Sequence, residues 1–134
     1  MKIIVCLDDN GGMLFCGRRQ SSDRIAYKRI LETVGESVLL MNSYSAKQFE
    51  NEKIMVDENF LDKAGAEDFC FVENMDISSY ADKIGHIIIY RWNRIYPSDI
   101  KFPFNLFEDR WQLVSKKDFA GNSHEKITEE IYKL

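Results

Sequence analysis

Two periods of apolar and polar positions follow one another along the chain. Residues 1–7 form an apolar, β-branched run that stops at Asp8-Asp9-Asn10-Gly11-Gly12, a cluster of turn formers, which predicts a buried first strand leaving into a loop. From Ser22 the period changes, since Tyr27, Ile30, Leu31 and Val34 recur at i, i+3, i+4, i+7 and predict a helix with one buried face. Ser21 or Ser22 is placed to cap that helix, Asp23 sits at its positive end, and Gly35 supplies the stop. Residues 37–41 predict a second buried strand, followed by a short helix that starts near Ser43 or Ser45 and runs through Phe49. Residues 53–57 and 68–73 predict two more strands joined by a polar stretch with Gly65, and residues 84–92 predict the longest strand. Strands separated by helices favour parallel pairing. The end differs: residues 111–117 and 127–133 flank Gly121-Asn122-Ser123, as a terminal antiparallel hairpin does. The expected fold class is α/β, with a mixed, mostly parallel sheet closed by a C-terminal antiparallel hairpin.

Composition narrows the function classes. A chain of 134 residues, 45% hydrophobic and 13% aromatic, suits one domain over 1–134 with a core of its own, and there is no internal repeat or Pro-rich linker. A net charge of −4 leaves no basic excess for a nucleic-acid backbone. No apolar run approaches the roughly 20 residues that cross a bilayer, and the first run reaches Asp8 too soon for a signal peptide, so the expected location is cytoplasmic. Cys6, Cys16 and Cys70 are odd in number and widely spaced, which argues against a disulfide framework. His86 and His124 stand in no metal-ligand spacing, so no metal is assigned.

The two ends carry a family resemblance. Lys2-Ile3-Ile4-Val5-Cys6-Leu7-Asp8-Asp9-Asn10-Gly11-Gly12 is similar to the first strand and mobile loop of dihydrofolate reductases. Asp23-Arg24-Ile25-Ala26-Tyr27-Lys28-Arg29, fifteen positions after Asp8, resembles the opening of that family's helix B. Tyr80-Ala81-Asp82-Lys83-Ile84, Phe102-Pro103, Trp111 and the closing Tyr132-Lys133 resemble its sixth strand and final hairpin. The resemblance covers about two-thirds of the chain. It implies a three-layer dihydrofolate reductase-like domain, with NADPH as the family's hydride donor.

The resemblance implies that Asp23 is the catalytic carboxylate that holds the substrate ring; the residue alone could equally stabilise its helix. Cys6 and Tyr27 would line the same pocket, or simply pack in the core. Ile87 stands near the position of the family threonine that bridges the pterin, and it cannot donate a hydrogen bond. The cofactor motifs are degenerate. The Gly-Arg-x-Thr turn after the second strand is replaced by Asn42, Ser43, Tyr44 and Ser45, and the Gly-Gly pair after the fifth by Glu73 and Asn74, with Asp76 nearby. These acids would repel a pyrophosphate.

The loop Gly17-Arg18-Arg19-Gln20-Ser21-Ser22-Asp23-Arg24 is dense in hydrogen-bonding groups. Arg18 and Arg19 could meet an anion there, or pair with Asp8 and Asp9 on a solvated surface. Arg91, Trp92 and Arg94 could offer a stacking surface or a snorkelling edge. The resulting expectation is a divergent protein that is not a competent NADPH-dependent dihydrofolate reductase, needs no cofactor, and binds a small planar or anionic ligand near Asp23. Two alternatives stay open: a working NADPH-dependent reductase of folate or pterin-like substrates, and an inhibitor- or immunity-type module that meets a protein partner.

Overall fold

A computed structural model describes residues 1–49, 53–108 and 110–134. Its centre is β1 (Lys2–Leu7), in which Ile3, Ile4 and Val5 are completely buried. Side chains on both faces are covered, so β1 reads as a continuous apolar run and lies between two parallel neighbours, as doubly covered strands do. Those neighbours are β6 (Phe69–Phe71) and β7 (His86–Arg91). Beyond β6 lie β4 (Leu39–Met41) and the edge strand β5 (Ile54–Val56), both parallel. Beyond β7 come β10 (Ile127–Lys133) and then β9 (Gln112–Phe119), each antiparallel to its neighbour. The seven-stranded order is β5-β4-β6-β1-β7-β10-β9, the mixed sheet with a terminal antiparallel hairpin that the sequence predicts.

Helix α1 (Arg24–Val34) covers one face through Ala26, Tyr27, Ile30 and Val34, packing on Ile4, Met41, Phe71, Ile88 and Tyr90. Gly35 ends it at φ 57°, a conformation that glycine adopts without strain. Arg29 clamps the helix to β10 through two bonds to Glu129, at 3.0 and 3.2 Å, and Tyr90 donates to the same carboxylate at 2.8 Å. The other face is covered by Phe60 and Leu61 of α3 (Phe60–Lys63), by Ile77 and Ile84 around the 3₁₀ turn Ser78–Lys83, and by Trp111. These are three layers.

Several local expectations change. The cap of α1 is Asp23, whose side chain accepts from Ile25 N and Ala26 N, and not Ser21 or Ser22. The second helix, α2 (Ser43–Ala46), is capped by Asn42 and stops before Phe49. The longest strand is β9, not the stretch at 84–92, which is strand only from His86 to Arg91. The loop after β1 contains structure that the hydrophobic pattern does not disclose. There β2 (Gly12–Phe15) and β3 (Arg18–Arg19) form a hairpin on Cys16 and Gly17, at φ 51° and 73°, as a mirror-image two-residue turn requires. Strand β8 (Ile100–Lys101) joins β2 to complete a small antiparallel sheet, β3-β2-β8.

The layer arrangement predicts that Ile30→Ala, at a fully buried site, lowers the unfolding free energy by about 2–5 kcal/mol, whereas Ile25→Ala, one side of the same helix but exposed, changes it by less than about 0.5 kcal/mol. Urea titration followed by far-ultraviolet circular dichroism measures both.

Candidate functional site

The parallel strands end on one side of the sheet. Asp8 follows β1, Asn42 follows β4, Glu73 follows β6 and Trp92 follows β7. The β2–β3 hairpin, the start of α1 and the loop between β9 and β10 all come to this side. Asp8 shapes the exit of β1, its carboxylate accepting from Gly12 N at 2.7 Å, Asn10 N at 3.1 Å and Tyr96 N at 2.9 Å.

Asp23 is an internal acid. Besides Ile25 and Ala26, the backbone amides of Asn122, Ser123 and His124 donate to it at 2.8–3.2 Å, and His124 Nδ1 lies 3.1 Å from Oδ2. Neither side chain of the Asp23–His124 pair is more than 1% exposed. Burial alone would raise the carboxyl pKa, but the amide of Asn122, the His124 ring and the amides of Ser123 and Ala26 outweigh it and hold the group well below the usual carboxylate range. Asp23 therefore fastens α1 to the last hairpin, and its oxygens do not point into open space, contrary to the expectation that they meet a substrate ring. The His124 ring stacks on Trp92, centroids 4.5 Å apart and planes 19° apart, and its Nε2 lies 3.1 Å from both Ser21 Oγ and Tyr96 Oη.

The groove between the ends of β4 and β6 is bridged by side chains of the chain itself. Arg19 donates from Nε and Nη2 to Glu73 at 3.1 and 3.3 Å and from Nη2 to the Tyr44 carbonyl at 3.2 Å, and its guanidinium lies 4.5 Å over the Tyr44 ring. The Arg19 amide donates to Tyr44 Oη at 2.8 Å. Gln48 Nε2 donates to Glu73 at 2.8 Å, and Tyr27 Oη donates to Gln48 Oε1. Asn42 donates to Asn74 at 2.8 Å, and Ser43 Oγ donates to Glu58. The Ser45 hydroxyl oxygen is buried without a hydrogen-bond partner among the described residues. Thus Asn42, Ser43, Ser45, Glu73 and Asn74 do converge, but in a groove closed by Arg19 and Tyr44. Arg19 pairs with Glu73 and not with Asp8 or Asp9, which corrects the reading of a solvated pair, while Arg18 is exposed.

Cys6 is half-buried on the α1 face of the sheet, near Tyr27. Burial, followed by the charges of Glu73 and Asp23, pushes its thiol well above the ordinary value, and burial raises the Tyr27 phenol likewise. Ile87 does not belong with them. It is fully buried in the cluster on the opposite face of the sheet, and Ile88 and Tyr90 are its neighbours that face α1. Nor do Arg91 and Trp92 form an open stacking surface: Arg91 bonds Glu130 at 2.8 Å and Trp92 is buried under His124. Sequence reading missed Gln48, Tyr96 and His124 as site residues. Each is a lone polar side chain with no spacing to flag it, and its partners lie 21 to 103 positions away.

Two open clefts meet at Arg19. One, of about 530 Å³, is lined by Phe15, Arg18, Arg19, Gln20, Tyr96 and Pro97. The other, of about 600 Å³, is lined by Arg19, Ser21, Asp23, Arg24, Tyr27 and Asn122. Among the described residues no cluster of His, Cys, Asp and Glu could hold a metal ion, and no helix is long and apolar enough to cross a membrane.

No family model matches the sequence, and no curated protein matches it either. The fold does have solved counterparts. The chain is similar to the dihydrofolate reductase of Enterococcus faecalis, solved in complex with NADP(H) and RAB-propyl, at a TM-score of 0.67 and 10% identity, over 98% of this chain and 94% of that one. The chain has a dihydrofolate reductase-like fold with a strongly divergent sequence.

Asp23 sets an acid sensitivity. Its folded pKa is depressed, so its stabilisation is complete above the unfolded value near about 4 and is lost as pH falls below it. The melting temperature of the wild type is expected to drop steeply below about pH 4, and that of Asp23→Asn to start lower at pH 7 and fall less. Gly121→Ala tests the same anchor sterically. A Cβ there would lie 2.5 Å from Asp23 Oδ2, 2.8 Å from the His124 carbonyl and 2.9 Å from Ile127 Cδ1, and the expected loss is about 1–3 kcal/mol in thermal or urea unfolding.

Proposed function

We propose that this chain uses the dihydrofolate reductase fold without a dinucleotide and binds a small planar or anionic ligand in the two clefts that meet at Arg19, beside Asp23. The observation that carries this is the Arg19–Tyr44–Glu73 bridge. In the family that the sequence resembles, the turns after these two strands hold the phosphates of NADPH, and the E. faecalis enzyme was solved with NADP(H). Here the same turns carry Asn42-Ser43-Tyr44-Ser45 and Glu73-Asn74, and Arg19 fills the space between them. For a pyrophosphate to enter, Arg19 must leave and uncover the Glu73 carboxylate, which is 8% exposed. Two like charges about 4 Å apart near a protein surface repel by about 4 kcal/mol.

The ligand class follows from what the clefts present. Phe15 is 41% exposed and, with Tyr96, offers aromatic surface to a flat group, while Arg18 and Arg24 offer guanidinium donors to carboxylate or phosphate. Asp23 supports the site by fixing the hairpin and α1, Tyr27 lines one of the clefts, and Cys6 packs in the same cluster as Tyr27 behind it. A second reading, a working NADPH-dependent reductase, is favoured by one feature: Arg19 comes from a hairpin and its side chain is 27% exposed, so a cofactor could displace it.

Differential scanning fluorimetry separates the two. NADPH at about 1 mM is expected to leave the melting temperature and the Trp92 and Trp111 fluorescence unchanged, whereas a site filled at about 100 times its dissociation constant would add about 2.7 kcal/mol. Planar carboxylates and phosphates are expected to raise it, and Arg18→Ala to remove the shift. Fluorescence quenching by micromolar NADPH, or oxidation of NADPH dependent on folate, sinks the proposal.

A further inference from the structure

We propose that Ser21, His124 and Asp23 form a nucleophilic-serine relay, and that the cleft opening on Ser21 is an acyl-transfer site for a small anionic ester. This goes beyond the ligand-binding reading and needs no dinucleotide. The three groups are in line: Asp23 Oδ2 lies 3.1 Å from His124 Nδ1, and His124 Nε2 lies 3.1 Å from Ser21 Oγ. An ionised carboxylate only accepts hydrogen bonds, so Nδ1 carries the proton of the neutral ring and Nε2 presents its lone pair to the serine hydroxyl. A nucleophile, a base and a third group that orients the base is the arrangement that activates a hydroxyl, whatever the fold beneath it.

The relay is rigid. The imidazole is held by the Trp92 stack on one side and by the edge of Tyr96, centroids 6.5 Å apart and planes 81° apart, on another. The His124 amide donates to the same Asp23 oxygen, and the Gly121 amide bonds the His124 carbonyl at 3.0 Å. Ser123 Oγ lies 3.2 Å from Nδ1 and donates to the Ser22 carbonyl at 2.7 Å. Acid and imidazole are both enclosed, while Ser21 is half-buried and lines the cleft of about 600 Å³.

The cleft also supplies a charge that selects an anionic substrate. Arg24 is exposed and lines it, and its Nε donates at 3.3 Å to the neutral Asn122 side chain, so among the described residues its partner there is an amide and not a carboxylate. In the reaction Ser21 Oγ bonds to the ester carbonyl carbon as its proton passes to Nε2. A tetrahedral oxyanion forms, while Arg24 holds the carboxylate at the far end of the substrate. Collapse breaks the bond to the alcohol oxygen, which leaves with the proton from Nε2. Water then attacks the acyl-serine, gives its proton to Nε2, and the serine hydroxyl is regenerated as the acid departs. Tyr96 Oη, 3.1 Å from Nε2 and 3.5 Å from Ser21 Oγ, is a positioning group that accepts from the imidazolium while Oγ is acylated.

The test uses the full chain, a fluorophosphonate probe, and two chromogenic esters, p-nitrophenyl acetate and the p-nitrophenyl monoester of glutaric acid. The expected result is a covalent adduct located by mass spectrometry on Ser21, with hydrolysis of both esters by the wild type. Ser21→Ala is expected to abolish the adduct and lower hydrolysis about 10²–10⁴-fold with an unchanged circular dichroism spectrum. Arg24→Gln is expected to raise KM for the glutarate ester several-fold and to leave that for the acetate unchanged. No adduct on the wild type, an adduct at another residue, or a Ser21→Ala variant as active as the wild type overturns the proposal.

Discussion

One buried carboxylate joins the beginning of this chain to its end. Asp23 accepts from two amides at the start of α1 and from three in the loop between β9 and β10, about a hundred positions later. A charge removed from water is stable only when its lone pairs are all engaged, and here they are. That requirement settles where the last hairpin stands. It also brings His124 against Trp92 at the end of β7, and Tyr96 and Ser21 to its other nitrogen. Most polar geometry on this side of the sheet follows from it.

Arg19 acts similarly for the other half of the site. It crosses from the β2–β3 hairpin to the turns after β4 and β6, where it neutralises Glu73 and lies on Tyr44. A turn that lacks glycine cannot bring its backbone close to a phosphate, and an acid there needs a cation. The chain provides that cation internally. The groove between the strand ends is thereby occupied, and the accessible space lies outside it, on either side of Arg19.

Much of the scaffold was legible in the sequence, because its signals are local. The apolar runs at β1 and β4, the 3.6 period of α1 and the turn residues before β10 each act within a few positions. The hairpin of β2 and β3 was not legible: its strands are four and two residues long, and a Cys-Gly turn is not a strong signal. The cap was missed because Ser21, Ser22 and Asp23 are all competent caps, and only the distant loop at 121–124 selects Asp23. Ile87 aligns near the family threonine in sequence but lies in the cluster opposite α1, and alternation along a strand reverses with a shift of one residue, which the loop lengths near β7 do not determine. The partners of Arg19 and His124 lie 25 to 103 positions away, beyond the reach of any spacing rule.

The small sheet has a dynamic consequence. Arg19 is attached to a ladder in which β2 also pairs with β8, and the Cys16 amide bonds Asp99 Oδ2 at 3.0 Å. The backbone that carries Arg19 is thereby held in place, while its half-exposed side chain can leave Glu73 by rotation about its own bonds. Such rotations take picoseconds to nanoseconds, whereas release of the hairpin itself would be a unit of local unfolding on microseconds or longer. The obstruction in the groove is thus a side chain on a fixed stem, and its removal leaves the small sheet intact.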